Sequence, residues 1–396
     1  MAFRKRNVGI QRATSSVSDS VEIKENIPGV RPSPLTGQLT TSTGAYSLDG
    51  LLGGHAGLAL GSSVLIEESG TTDFAGALLR YYAAEGITQG HTLHIVGGGE
   101  QWIKELPGLV GAADAAAEAE AIAQKKRKAA DEEKMKIAWR YERLNQTDAD
   151  RRVLPNRAPP SSPDVQQSTA FCHTFDLAKR LVVPTGAPIN HIPISKNPMS
   201  SPFDSILKSV SQSLVSSPAN TVHRLVISTL LSPALYPPHA SLPQHFLGFL
   251  HSLRALLRQH PSRLTAMLSF PLSLYGRQTA LVRWAETLSD GVLELTPFPH
   301  LMDASNSLAE SGGTRSGVDE QPQGMFHTHK LPVNTDRGGG VREGDDLAFT
   351  VSRRRFVIKP FSLPPAEGDT EAQQMAEQSG GGGGAVGKAT KVDIEF

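Results

Sequence analysis

Three kinds of text alternate along this chain: short runs of consecutive apolar residues, longer stretches with apolar residues every three or four positions, and polar stretches with neither pattern. Val64 to Ile66, Leu93 to Val96 and the segments VHRLVIST, RLTAMLSF and GVLELTPF are of the first kind. Runs this short, without in/out alternation, are expected of strands covered on both faces, the condition of a parallel sheet. FAGALLRYYAAEG, QHFLGFLHSLRALLRQH and RQTALVRWAETLS are of the second kind. In the middle one, Phe246, Phe249, Leu250, Leu253, Leu256 and Leu257 form an i, i+3, i+4 stripe for packing on a sheet. Strand, helix and strand in succession is the crossover that parallel strands need. The pattern therefore predicts an α/β domain with a doubly wound, mainly parallel central sheet. Two late strands, MFHTHKLP and RRRFVIKPF, have no helix between them and predict an antiparallel edge.

The polar stretches divide the chain. Residues 1–40 are rich in Arg, Ser, Thr and Pro without apolar period, and are expected to be a disordered arm. The domain is expected over 41–365, interrupted at about 112–170 by a charged helical or disordered insertion that begins AADAAAEAEAIAQKKRKAADEEK. Within that insertion MKIAWRYERL is more apolar and is expected to dock. Residues 366–396, with QSGGGGGAVGKAT, are expected to be a disordered Gly-rich tail.

Composition narrows the function classes. Lys plus Arg and Asp plus Glu number 39 each in 396 residues, so no overall field draws the chain to nucleic acid, and RNA contact requires a local patch. A single cysteine, Cys172, excludes an internal disulfide framework and a thiolate metal cage, in keeping with a reducing compartment. The basic amino end leads into no apolar segment, and no apolar run nears the roughly 20 residues that span a bilayer. The expectation is an intracellular protein.

The leader TGAYSLDGLLGGHAGLALG, Thr43 to Gly61, followed by the strand SSVLIEE, resembles the approach to the nucleotide site of RecA-like ATPases. There a GxxxxGK[ST] loop follows the strand, its lysine neutralising the outer phosphates while backbone N–H groups and the helix N-terminus cradle them. This chain reads EESGTTDFAG instead, with Ser69, Gly70, Thr71 and Thr72 at the degenerate phosphate-loop position and no lysine. Glu67, Glu68 and Asp73 add negative charge where an anion would sit. The magnesium-binding Asp is missing as well, because VHRLVIST ends in Ser228 and Thr229. Glu100 stands where related ATPases place a water-activating glutamate, but a base without a phosphate clamp has nothing to act on. Gly97, Gly98 and Gly99 lack dinucleotide-binding spacing and read as a flexible strand end. The fold expected is RecA-like without an intact phosphate-binding loop, and no catalytic residue is assigned.

Four further segments carry a more specific resemblance. NIPGVRPSPLTGQLTTSTGAYSLDGLLGG, MKIAWRY (135–141), FCHTFDLAKR (171–180), and MFHTHKLP (325–332) with FVIKPFSLPP (356–365) occur in the order found in the Elongator subunit 4 family. The resemblance covers about Gly29 to Pro365. It implies a non-catalytic subunit of the Elongator complex, in a heterohexameric ring with subunits 5 and 6 attached to the larger catalytic assembly. It further implies tRNA binding, support of wobble-uridine modification of the 5-carboxymethyl type, and residence in cytoplasm and nucleus. No cofactor is implied for this chain, and ATP belongs to boundaries between ring subunits. A rewired RecA or KaiC-type ATPase and a pure scaffold without RNA contact are the competing readings.

The loops SPALYPPHASLP (232–243) and PLSLYGRQ (271–278) follow central strands and would line a ring's pore. There Tyr275 and Arg277 pair a stacking face with a phosphate partner, although such a pair is also ordinary surface. Arg353, Arg354 and Arg355 form a basic patch, or equally a guard on an edge strand. Trp139, Arg140 and Tyr141 are either a partner-docking plug or a cover for the sheet edge. His327 and His329 face one way on a strand, but two ligands close no zinc site, so a structural pair is expected and no metal is assigned.

Overall fold

The computed structural model describes residues 27–52, 57–111, 170–298, 322–332 and 346–361. Chain order runs Val30–Pro32 (β1), Leu39–Thr41 (β2), Tyr46–Leu51 (α1), Leu58–Ala59 (β3), Ser63–Glu68 (β4), Phe74–Thr88 (α2) and Thr92–Val96 (β5). Glu100–Lys104 (α3), Pro107–Leu109 (β6), Phe175–Arg180 (β7), Ile189–Ile192 (β8), Asp204–Ser216 (α4) and His223–Ile227 (β9) follow. The last part holds Pro243–Gln259 (α5), Leu264–Pro271 (β10), Ala280–Leu288 (α6), Gly291–Pro297 (β11), Gly324–Lys330 (β12), Leu347–Val351 (β13) and Phe356–Pro360 (β14).

The central sheet runs β14-β13-β12-β11-β4-β10-β9-β5-β8. From β11 to β8 every pairing is parallel; from β11 through β14 every pairing is antiparallel. This is the expected mainly parallel sheet with an antiparallel edge. Strand alternation splits the core between the two faces. Val64 and Ile66 pack with Leu78, Leu79, Tyr82 and Leu93 under α2, whereas Leu65 packs with Val210, Phe246, Leu253 and Leu268 under α4, α5 and α6. Helices on both faces make the sheet doubly wound. Among the described residues no helix is long and apolar enough to cross a membrane.

Three expectations change. Residues 27–40 of the arm expected over 1–40 are ordered, and β1, β2 and β3 form a small antiparallel sheet. Its anchor is Arg224 of β9, fully buried, which donates to Thr41 Oγ1 (2.7 Å), the Ser42 carbonyl (2.8 Å), the Tyr82 carbonyl (3.0 Å) and His91 Nδ1 (3.0 Å). Those bonds supply what the segment's own polar composition does not. Next, β8 and α4 extend the sheet and its cover within a stretch where the sequence pattern named no element. Lastly, Arg353, Arg354 and Arg355 lie in the turn before β14, not on a strand, because the Ser352 hydroxyl accepts from the Arg354 and Arg355 N–H groups and closes the turn. The remainder of the expected arm, nearly all of the insertion, the Gly-rich tail and Trp139, Arg140 and Tyr141 lie outside the described residues.

The leader's Asp49 is buried and structural. Its carboxylate accepts from Ser42 Oγ (2.5 Å), Thr43 N–H (2.8 Å) and Thr43 Oγ1 (2.6 Å), folding the turn into α1. Gly44 in that turn has φ +79°, and a Cβ there would meet the Tyr81 carbonyl, so the glycine is required twice over.

Candidate functional site at the carboxyl end of the central strand

β4 ends in two consecutive glutamates that a strand sends to opposite faces. Glu68 turns toward α2. Its Oε1 accepts from the Phe74 N–H (2.9 Å) and the Thr72 hydroxyl (2.7 Å), and its Oε2 from the Ala75 N–H (2.9 Å). These are first-turn donors that a phosphate loop would offer to an anion, and here the chain's own carboxylate takes them. Burial raises Glu68's pKa above the ordinary carboxylate value, opposed by the bonds from Thr72, Ala75 and Phe74. Lined partly by the carboxylates of Glu68 and Asp73 and by no basic residue, the cavity over the loop holds only about 40 Å³. That is little more than the ~30 Å³ share of a water molecule, against the ~300 Å³ or more of ordinary ligand pockets.

The neighbouring loops are tied down too. Thr229, after β9, adopts φ +44° and donates its N–H to Ser269 Oγ (2.7 Å), and Leu231 adopts φ +64°. Tyr275 Oη donates to the Leu231 carbonyl (3.1 Å), and its ring packs on Phe270. The loops after β9 and β10 are thus bonded to each other, and the Tyr275 ring is half-buried.

Glu67 turns toward the other face, into a cluster of charged groups. Arg277 donates through Nε to Glu286 Oε1 (2.7 Å) and through Nη1 to Glu294 Oε2 (3.1 Å), and Nη1 lies 2.7 Å from His329 Nε2. His329 Nε2 is in turn 2.7 Å from Glu294 Oε2. Glu67 itself is fully buried, neither oxygen has a hydrogen-bond partner among the described residues, and the Arg277 Nε is 4.0 Å away. Burial, then the charge of Glu286, raises its pKa to about 8 against the pull of Arg277, with Glu294 adding to the rise. The His329 hydrogen bond lowers Glu294 below the usual carboxylate range, with burial opposing. Arg277 is therefore bound up with carboxylates of its own chain, not held out for phosphate. The cluster also joins His329 to two carboxylates that no sequence spacing reveals, since Glu67, Glu294 and His329 come from three strands.

Other candidates lie elsewhere. Glu100 is exposed at the start of α3 and lines, with Gly97, Gly98, Gly99, His191 and Lys196, an open cavity of about 490 Å³. No residue of that lining borders the cavity over the degenerate phosphate loop. Arg353 and Arg354 are exposed, with Arg354 Nε 3.8 Å from Asp176 Oδ2, and Arg355 is half-buried. His327 stacks on His329, ring centroids 6.1 Å apart.

The family model described as PAXNEB protein matches residues 23–396. The chain belongs to the PAXNEB family. Similar proteins include Elongator complex protein 4 of Schizosaccharomyces pombe, 34% identical over 359 residues, covering 89% of this chain and 92% of that protein. Elongator complex protein 4 of Saccharomyces cerevisiae is 29% identical, with 95% and 84% covered, and that of Homo sapiens 27%, with 90% and 84% covered. This PAXNEB chain was also matched to the crystal structure of a KaiC-like protein from Pyrococcus horikoshii OT3, with TM-score 0.39, 14% identity, and 81% and 99% covered. The RecA-like, α/β class of the PAXNEB chain rests on its own strand order.

Proposed function

We propose that this chain is a non-catalytic subunit of the Elongator complex, in a heterohexameric RecA-like ring with subunits 5 and 6 that binds tRNA and supports 5-carboxymethyl-type modification of wobble uridine. Membership of the PAXNEB family, together with relatives that carry the name Elongator complex protein 4, supports the place in the complex. The observation that carries the non-catalytic half is the seating of Glu68. A triphosphate would have to displace a bonded carboxylate and then bind without lysine or a magnesium-binding Asp. ATP used by the ring belongs to its subunit boundaries, and the protein acts in cytoplasm and nucleus.

Co-expression with subunits 5 and 6, followed by native mass determination and a tRNA-binding assay, tests the reading. A six-membered assembly that retards tRNA in a salt-dependent way is expected. A chain that stays monomeric beside both siblings overturns the ring. Micromolar, magnesium-dependent ATP binding by the isolated chain, with turnover that is lost on Glu100→Gln, would replace this reading with an ATPase.

A further inference from the structure

We propose that Glu67, Glu294 and His329 form a binding site for a divalent transition-metal ion of the zinc or cobalt class. Their ligand atoms all lie within 4.8 Å of one another. The neighbouring strands β4, β11 and β12 deliver them. Glu67 and Glu294 are register partners on the parallel pair, and a bulge in the β11–β12 register skips His329, which brings its ring beside Glu294.

Two observations independent of the grouping point to a cation. First, Glu67 is completely buried with both oxygens unbonded among the described residues, although buried polar atoms are ordinarily paired. Second, His329 Nε2 lies 2.7 Å from both Arg277 Nη1 and Glu294 Oε2. A neutral ring accepting from Arg277 confronts the carboxylate as one acceptor facing another; a protonated ring confronts Arg277 as one donor facing another. A metal ion resolves the conflict, because it takes electron pairs from nitrogen and oxygen alike. Ligand atoms ~2.0–2.2 Å from one tetrahedral ion sit about 3.3–3.6 Å apart, a spacing between the 2.7 Å of the His329–Glu294 pair and the 4.8 Å that bounds the group.

Charge agrees. Glu67, Glu286 and Glu294 surround a single guanidinium, so a doubly charged ion brings the ionised group to neutrality. One imidazole and two carboxylates suit zinc-like ions better than calcium or magnesium. Arg277, about a third exposed, would keep Glu286 and release its Nη1 position to the ion. The ion would then pin β4, β11 and β12 together, joining the parallel sheet to its antiparallel edge.

The test uses the full chain, stripped with chelator and titrated with Co²⁺ by visible absorption and with Zn²⁺ by calorimetry. One equivalent is expected to bind with a rise in melting temperature, and Glu67→Gln and His329→Ala each weaken binding about 10-fold or more. Arg277→Met, which vacates the position, tightens it, and His327→Ala leaves it within about 3-fold. Far-UV circular dichroism of each variant distinguishes a lost ligand from a lost fold. Absence of binding tighter than millimolar in both wild type and Arg277→Met overturns the proposal, as does binding that survives Glu67→Gln and His329→Ala unchanged.

Discussion

Glu68→Ala would leave the Phe74 and Ala75 N–H groups and the Thr72 hydroxyl without their acceptor in a cavity too small to hydrate them freely. A loss of about 1–3 kcal/mol is expected, the range for donors stranded on burial. Glu68→Gln, which retains one carbonyl acceptor, should lose less. Urea midpoints check both, and equal stability of Glu68→Ala and wild type would refute the seating. The missing lysine at this loop was plain in the letters SGTTDF, but the fate of Glu68 was not. Two adjacent glutamates read as two solvated charges until the strand's period of two separates them, one to α2 and one to the opposite face. The partners of Arg277 are hidden in the sequence for a related reason. Its loop position is compatible with a phosphate partner or with ordinary surface, while its partners Glu286, Glu294 and His329 lie 9 to 52 residues away in the chain.

At the scale of elements, the apolar period identified the strands buried on both faces and α2, α5 and α6, because in those elements burial and hydrophobicity coincide. It missed β8, an edge strand reading INHI, and α4, whose buried stripe Ile206, Val210 and Leu214 is spaced through serines. Besides the apolar core, some of the bonds that join elements are polar and proton-sensitive. His91 accepts from Arg224 through Nδ1 and donates through Nε2 to the Pro28 carbonyl (2.9 Å), joining β9, β5's approach and the segment before β1. Burial first, then the Arg224 charge, lowers its pKa to about 3, against the Pro28 bond. His94 and His223, in contact at 3.0 Å, fall to about 3 and about 4, burial again leading. Because these folded-state values lie below the ordinary 6.5, the unfolded chain binds more protons between there and pH 6.5. Their contribution is therefore complete above pH 6.5 and declines as pH falls toward 3 to 4. The carboxyl groups of Glu67, Glu68, Asp49 and Asp73, all raised, slope the other way, so a variant comparison isolates the effect. His91→Gln should reduce the fall in stability from pH 5.5 to 4.5 by about one proton's worth, ~1.4 kcal/mol. Identical pH slopes in urea titrations of variant and wild type would rule this out.

For the whole molecule, equal numbers of acidic and basic residues leave no general attraction to RNA, so the tRNA contact proposed for this chain would depend on a few placed cations. Arg277, the sequence's first candidate, is surrounded by Glu67, Glu286 and Glu294 and would have to abandon them to meet a phosphate. Arg353 and Arg354 are exposed at the turn into β14, on the antiparallel edge, and among the described residues Arg354 has a long 3.8 Å contact to Asp176 to give up. Exposed cations exchange counterions for phosphates at little desolvation cost, whereas a guanidinium held by several carboxylates does not. In a ring formed with subunits 5 and 6, the double variant Arg353→Ala, Arg354→Ala is expected to weaken tRNA binding. It should also reduce the slope of log affinity against log salt by about 1.4–1.8, the release expected for two phosphates. Arg277→Ala should change neither by more than about twofold, although it unbalances the cluster and lowers the melting temperature of the chain. The reverse outcome, a reduced salt slope with Arg277→Ala and an unchanged one with the double variant, would move the RNA contact back to the loop after β10 and require Arg277 to leave its carboxylates when the ring assembles.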